Sequence, residues 1–388
     1  MSDSPHIAII GGGVGGLTCA RGLQTHGHSV TVYEREASAA ARWQGGMLDL
    51  HAPTGQAALR AVDLYEQFRA VARPEAQEMR MVDPVTAELV HHELPAEGEY
   101  FAPEIDRGQL RELLLASLQP ATVHWGHSID TVTPLDDGTA RVDFSNGTTE
   151  VFDLVIGADG AWSRTRPALS AATPSYSGET LIETYLDDID NRHPALAKLI
   201  GAGSMVATAG PLMLGTQRNS GGHVRAYSMI EGIALDWHVT AGIDLADTEA
   251  VREYLLARHA GWHDSLLDLL RDSDGGFINR PIHVLPPGLT WDHVPGVTLL
   301  GDAAHLLPPH GIGANLALID GSDLATAIGT HDDLDQGVRA YEDIMLPRAA
   351  AAAQADAEMS MIMSEDPRVG VNEVRQYFNE RILNPQTT

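Results

Sequence analysis

The first 34 residues hold the feature that most constrains this chain: a βαβ unit built round a glycine turn. His6-Ile7-Ala8-Ile9-Ile10 is a short apolar run rich in β-branched side chains, as in strands buried on both faces of a parallel sheet. Gly11-Gly12-Gly13-Val14-Gly15-Gly16 follows. Leu17 to Gln24 then reads as a helix stopped by Gly27, and Val30-Thr31-Val32-Tyr33 as a second strand ending in Glu34. In Gly11-x-Gly13-x-x-Gly16, the first glycine permits a tight turn and the second lets backbone approach a pyrophosphate. The third lets helix and strand pack closely. Phosphates then rest on free N–H groups at the positive end of the helix dipole, and Glu34 accepts hydrogen bonds from a ribose. Together these elements predict dinucleotide binding. Cys19, inside the helix, reads as a buried small apolar residue.

Two later segments look like further pieces of the same domain. Phe152-Asp153-Leu154-Val155-Ile156-Gly157-Ala158-Asp159-Gly160 is a strand running into an Asp-Gly turn, and Val297 to His305 is another carrying Gly301-Asp302. The second continues through Pro308-Pro309 and Gly311-Ile312-Gly313-Ala314-Asn315 into an apolar helix near Leu316–Ile328. Period-two alternation at Ala226–Ile230 and Ala234–Val239 suggests a strand-rich module within 173–280, and a helical pattern covers Thr248–Leu270. Residues 333–363 read as one long helix.

Composition removes rival chemistries. A net charge of −28 opposes binding to nucleic-acid phosphates and anionic membrane surfaces, while 44% hydrophobic residues argue for a globular chain. One cysteine excludes an intrachain disulfide, a CxxC redox centre and a cysteine-rich metal site; no other metal-ligand cluster stands out. Schiff-base chemistry could rest only on the single lysine, Lys198. The start carries no basic n-region and no long apolar run, so a cytoplasmic, soluble monomer without membrane or nucleic-acid partners is expected.

In order and spacing, the Gly-rich unit with Glu34-Arg35, the Asp159-Gly160 turn and the Gly301-Asp302 segment resemble FAD-dependent aromatic hydroxylases of the p-hydroxybenzoate hydroxylase type. Three strings are most similar to the tetracycline-inactivating flavin monooxygenases. These are Ala41-Arg42-x-x-Gly45-Gly46-x-Leu48-Asp49-Leu50-His51, Glu104-Ile105-x-Arg107-x-x-Leu110-Arg111, and Gly301-Asp302-Ala303-Ala304-His305-Leu306-x-Pro308-Pro309. The resemblance implies an α/β fold: a Rossmann-like FAD domain (1–71, 98–172, 281–330), a mixed or antiparallel substrate sheet (72–97, 173–280) and a C-terminal bracing helix (331–388). It assigns Gly11, Gly13, Gly16, Glu34, Arg35, Asp49, Arg107, Asp159, Asp302, Gly313 and Asn315 to FAD, and Arg42 to NADPH. Arg164 and Arg166 read as solvated charge. His305 and His310 are not assigned a proton-transfer role.

Two departures from those relatives bear on the site. The stretch His310-Gly311-Ile312-Gly313 is one residue shorter than usual before the glycine pair and lacks its Gln, which implies a flavin that sits or swings differently. Where the relatives grip their drug with Gln, Arg and His, the nearest positions here are Glu183, Ser204 and Arg225, and none matches. Glu183, Arg225, Pro309 and His310 are the substrate candidates. The implied activity is a single-component monooxygenase: NADPH or NADH reduces FAD, O2 adds at C4a, and the hydroperoxide passes one oxygen to an aromatic or enolic substrate, with no catalytic side chain. A tetracycline-like antibiotic, hence antibiotic resistance, is the first expectation and another aromatic polyketide the second. A flavin-dependent halogenase, a flavin reductase and a non-catalytic flavin binder stay open; the halogenase is disfavoured because no Trp-x-Trp-x-Ile-Pro string is present.

Overall fold

The computed structural model describes residues 5–41, 45–365 and 371–383. The opening unit forms as the glycine spacing dictates: strand Ile7–Ile10, helix Val14–Thr25 and strand Val30–Glu34. Ile7–Ile10 lies at the centre of a five-stranded parallel sheet in the order 297–299, 154–157, 7–10, 30–34, 123–125. All four of its residues are buried, which is why the run carries no polar face. A three-stranded antiparallel sheet (129–134, 140–144, 149–152) covers one side, joining Ala8, Ile10 and Tyr33 to Val142, Phe144 and Phe152 in a common core. On the other side the helix Gly313–Thr330 crosses Val14–Thr25 so closely that a side chain at Gly15 or Gly321 would strike the opposite backbone.

The seven-stranded sheet is mixed. Its order is 278–284, 175–186, 224–231, 212–218, 204–209, 79–82, 89–93, antiparallel throughout except where 204–209 runs parallel to 79–82. Residues Ile182, Leu214 and Ala226 pack one face against helices that contribute Leu196, Val251, Leu255 and Leu266. Alternation sends Arg225 and Tyr227 to the other face. A side chain at Gly215 would overlap the Tyr227 ring, so this glycine makes room for the tyrosine.

Three local expectations are corrected. Ala234–Val239 is not a strand: Trp237 begins a short helical turn, stacks on Tyr254 at 4.7 Å and donates to Asn279 at 3.2 Å. The helical pattern of 248–270 divides into Thr248–Arg258 and Asp264–Arg271, with Gly261 at φ +90° between them. The C-terminal region, expected as one bracing helix over 331–388, forms two: Leu334–Glu365, which matches the long helix read over 333–363, and Val371–Leu383. The first braces the parallel sheet through Tyr341, which donates to the Leu299 carbonyl at 2.9 Å. The second packs Phe378 and Ile382 on Ile312 and Leu316. Among the described residues, no helix is long and apolar enough to cross a membrane.

Candidate functional site

The glycine turn opens into a cleft of about 490 Å³ whose lining includes Gly11–Val14, Glu34, Arg35, Arg107 and Asp159. Gly11 has φ +111°, and a Cβ there would overlap the Ala158 carbonyl. A Cβ at Gly16 would overlap the Gly11 carbonyl. Gly13 differs: its φ is −77° and a Cβ would meet nothing within 4 Å. Nothing in the protein itself requires glycine at 13, so the empty space in front of it fits an incoming pyrophosphate. The helix that starts there has no acidic residue in its first turn and no side-chain cap, leaving its N–H groups available to an anion. Glu34 is buried, accepting from the Gly12 N–H at 2.7 Å and the Glu36 N–H at 2.9 Å.

Arg111, absent from the expected site, is buried beneath this loop. It donates to the carbonyls of Gly12 at 3.1 Å and Ala39 at 3.2 Å and pairs with Glu36 at 3.2 Å. Its position one helical turn after Arg107 was the available signal.

The Asp159 carboxylate organises its own turn, accepting from the Ser163 hydroxyl at 2.6 Å and the N–H groups of Arg164 at 2.7 Å and Thr165 at 3.1 Å. Arg164 is exposed as expected. Arg166 is not solvated: it is 2% exposed and donates to Ala161 and Ala303, each at 2.7 Å, so one guanidinium ties the Asp-Gly turn to the Gly-Asp turn. Asp302 begins a short helix and faces a second cavity. His305 is locked to Asp320 at 2.5 Å, and Asp320 also accepts from the Gly301 N–H and from Arg348. Burial opposes a proton on His305, but the Asp320 carboxylate outweighs it and raises the pKa.

The second cavity, about 700 Å³, lies between the segment 302–314 and the seven-stranded sheet. Met47, Asp49 and Glu104 form one wall, Asp302 and Leu306–Gly311 another, and Gln217, Tyr227, Arg280 and His283 a third. Pro309 and His310, two of the substrate candidates, line it. His310 bonds to Asp356 at 2.7 Å; burial works against its proton, but Asp356, with Glu179 beyond, holds the pKa above the usual value.

Glu183 and Arg225 are not among the lining residues. They pair with each other, and Arg280 joins Glu183 at 2.7 Å, so on the side of the seven-stranded sheet the cavity is lined by Arg280 and not by Arg225. Burial disfavours the Glu183 carboxylate, but the two arginines hold its pKa below the usual range.

Gly313 lines the cavity at the start of its helix. The Asn315 side chain is buried and fully occupied with protein. Its oxygen accepts from the His51 and Gly55 N–H groups at 2.9 and 3.1 Å, and its amide donates to Asp49 and Gly311 at 2.8 and 3.2 Å. What Asn315 offers a ligand is backbone. Asp49 accepts from Arg375 at 2.9 Å and contacts His51 at 3.1 Å. Arg375 comes from the last helix, and no motif pointed to it. Arg42 lies outside the described residues. Among the described residues, no group of three or more His, Cys, Asp or Glu comes together to hold a metal.

Residues 5–232 match the family model described as FAD binding domain. The chain belongs to that family. Monooxygenase penA of Penicillium thymicola is 31% identical over 403 residues, covering 89% of this chain and 92% of that one. The structure of Klebsiella pneumoniae HpxO complexed with FAD and uric acid has a TM-score of 0.81 at 20% identity, covering 100% of this chain and 99% of that one. The tetracycline destructase Tet(55) has a TM-score of 0.74 at 21% identity, covering 98% of each chain; these two likenesses show the fold. This FAD-binding protein is an FAD-dependent monooxygenase of the aromatic-hydroxylase type, with NAD(P)H as electron donor.

Proposed function

We propose that this monooxygenase oxygenates a polycyclic aromatic or enolic small molecule, with tetracycline-like compounds the first class to test. The observation that carries the reading is the wall that the seven-stranded sheet gives the 700 Å³ cavity, across from the Asp49 and Asp302 side where FAD would lie. One wall presents the polar groups of Gln217, Tyr227 and Arg280, while Met47, Leu306 and Pro309 supply apolar surface opposite. Such a site suits a flat molecule with oxygens along one edge.

The chain's own contributions follow from the two cavities. The N–H groups that follow Gly13, together with Glu34, Arg35 and Arg107, would hold the dinucleotide end of FAD, with Asp159, Asp302 and Asp49 bordering its path. Bound FAD supplies the oxygen chemistry. Gly313 and Ala314 open a helix with no acidic residue in its first turn, so its N–H groups and dipole favour negative charge in the cavity. His310, whose pKa Asp356 raises, lines the same cavity as an ion-pair partner of that carboxylate. Arg280 would hold a phenolate or enolate oxygen of the substrate.

A panel of tetracyclines and other phenolic polyketides, followed by NADPH consumption and a mass gain of one oxygen, tests this reading. Reaction of tetracyclines supports it. If none of them binds or reacts while another panel member does, the tetracycline assignment falls and that compound's class replaces it.

A further inference from the structure

Asp49 and Glu104 are directly opposed in an antiparallel pair of short strands, and both face the same cavity. Two carboxylates so placed repel one another, and among the described residues their cationic neighbours are unequally shared. Asp49 has Arg375 at 2.9 Å and His51 at 3.1 Å; Glu104 has the far side of that guanidinium, at 3.4 Å, and the more distant charge of Arg73. Glu104 is 4% exposed.

We propose that Glu104 is the proton-carrying group of the flavin cavity: a neutral acid at working pH that keeps the cavity from holding two negative carboxylates, and so favours reduction of the FAD. Carboxylates pushed apart in this way mark acid/base assignments. Burial, then the charge of Asp49, pushes the Glu104 pKa up to about 8. Burial also opposes the Asp49 charge, but Arg375 and His51 outweigh it and hold Asp49 below the usual range.

The other groups facing Glu104 are Arg73, whose backbone bridges it, Asp106 two residues along, and Tyr227 across the cavity. Arg73 is itself paired to Asp106 at 2.7 Å, which reduces what it offers Glu104. Adding a further negative charge on reduction makes ionisation of Glu104 less favourable. Between its pKa with FAD oxidised and its higher pKa with FAD reduced, Glu104 therefore binds a solvent proton as FAD takes up electrons. Below both, Glu104 is already neutral and no additional proton moves to it. The inference rests on FAD occupying this cavity and is independent of which substrate is used.

The test uses FAD-loaded wild type and E104Q, a neutral isostere. Infrared H2O-minus-D2O difference spectra of the oxidised proteins at neutral pH should contain a protonated-carboxyl band in wild type, lost with a midpoint near pH 8 and missing in E104Q. The midpoint potential of bound FAD should match in the two proteins below that pH and lie lower in wild type above it. A wild type without the band, or potentials that superimpose through pH 6–9.5, overturns the proposal. Should E104Q fail to load FAD, E104D serves: a shorter acid, farther from Asp49, should move the band and the potential deviation together to lower pH, and an unmoved deviation refutes the assignment. Flavin absorbance of the same samples reports independently whether FAD is bound.

Discussion

Gly13 should separate binding from folding, because its methyl substituent would clash with nothing in the protein and with everything that belongs in the cleft. A Cβ there meets no atom within 4 Å, and the backbone at φ −77°, ψ 175° is open to any residue. Ala removes unfolded-chain freedom worth about 0.4–1 kcal/mol. It is also a poorer N-cap than Gly, which takes back a comparable amount. At about 2.1 cal/mol/K of unfolding entropy per residue, a chain of 388 residues converts 1 kcal/mol into little more than about 1 °C. The G13A apoprotein should therefore melt within about 1–2 °C of wild type.

FAD affinity should behave differently. A methyl in the cleft holds the pyrophosphate off the helix N–H groups, and each charge-assisted hydrogen bond lost is worth about 1.5–3 kcal/mol. That predicts about tenfold weaker binding for one bond and about a hundredfold or more for two. G11A is the contrasting control: left-handed backbone costs about 1–2 kcal/mol, and overlap with the Ala158 carbonyl adds to it. Its apoprotein should melt roughly 4 °C lower or more. Calorimetry of the apoproteins and titration with FAD, followed by flavin fluorescence, measure both quantities. The reasoning fails if G13A lowers the apoprotein melting temperature as far as G11A does, or binds FAD within twofold of wild type.

N315A removes the acceptor for two buried N–H groups and the donor that ties Asp49 to Gly311, so the apoprotein should lose about 3 kcal/mol or more, roughly 4 °C of melting temperature; an unchanged melt would remove the bracing role. Glu104 has its folded pKa raised from 4.5 to about 8, so between those values the folded chain holds a proton that the unfolded chain has lost. Stability of wild type relative to E104Q should thus fall as pH rises through that window and level off above it, and parallel melting curves across pH 4.5–8 would contradict the sign. R280Q should raise KM for an anionic substrate about tenfold, the equivalent of one charged hydrogen bond, with kcat within about threefold and FAD affinity unchanged. A fall in kcat at constant KM would show that Arg280 acts otherwise.

The βαβ unit was legible because its code is local. Gly16 is demanded by overlap with the Gly11 carbonyl five residues back, Gly11 by its positive φ as well as by the distant Ala158 carbonyl, Gly13 by what must approach it, and the buried run Ile7–Ile10 has no polar face to confuse. The Asp159 and Gly301-Asp302 turns were legible for the same reason. Alternation misled at Ala234–Val239, where packing of Trp237 on Tyr254 overrides a strand-like pattern.

The arginines show where local reading ends. Arg111, Arg166, Arg280 and Arg375 look alike in sequence, yet Arg166 is buried by carbonyls more than a hundred positions away and Arg375 reaches carboxylates on strands from the other end of the chain. Glu183 and Arg225 read as two ligands, but strand pairing sets them on one face, where each satisfies the other. The sequence by itself determined the cofactor class and the turns that receive it, since the spacing of glycines between a strand and a helix is written within a few residues of chain. Which charges cancel, which face the cavity and which carboxylate keeps its proton were decided only by tertiary structure, because burial and charge pairing depend on distances that no spacing along the chain records.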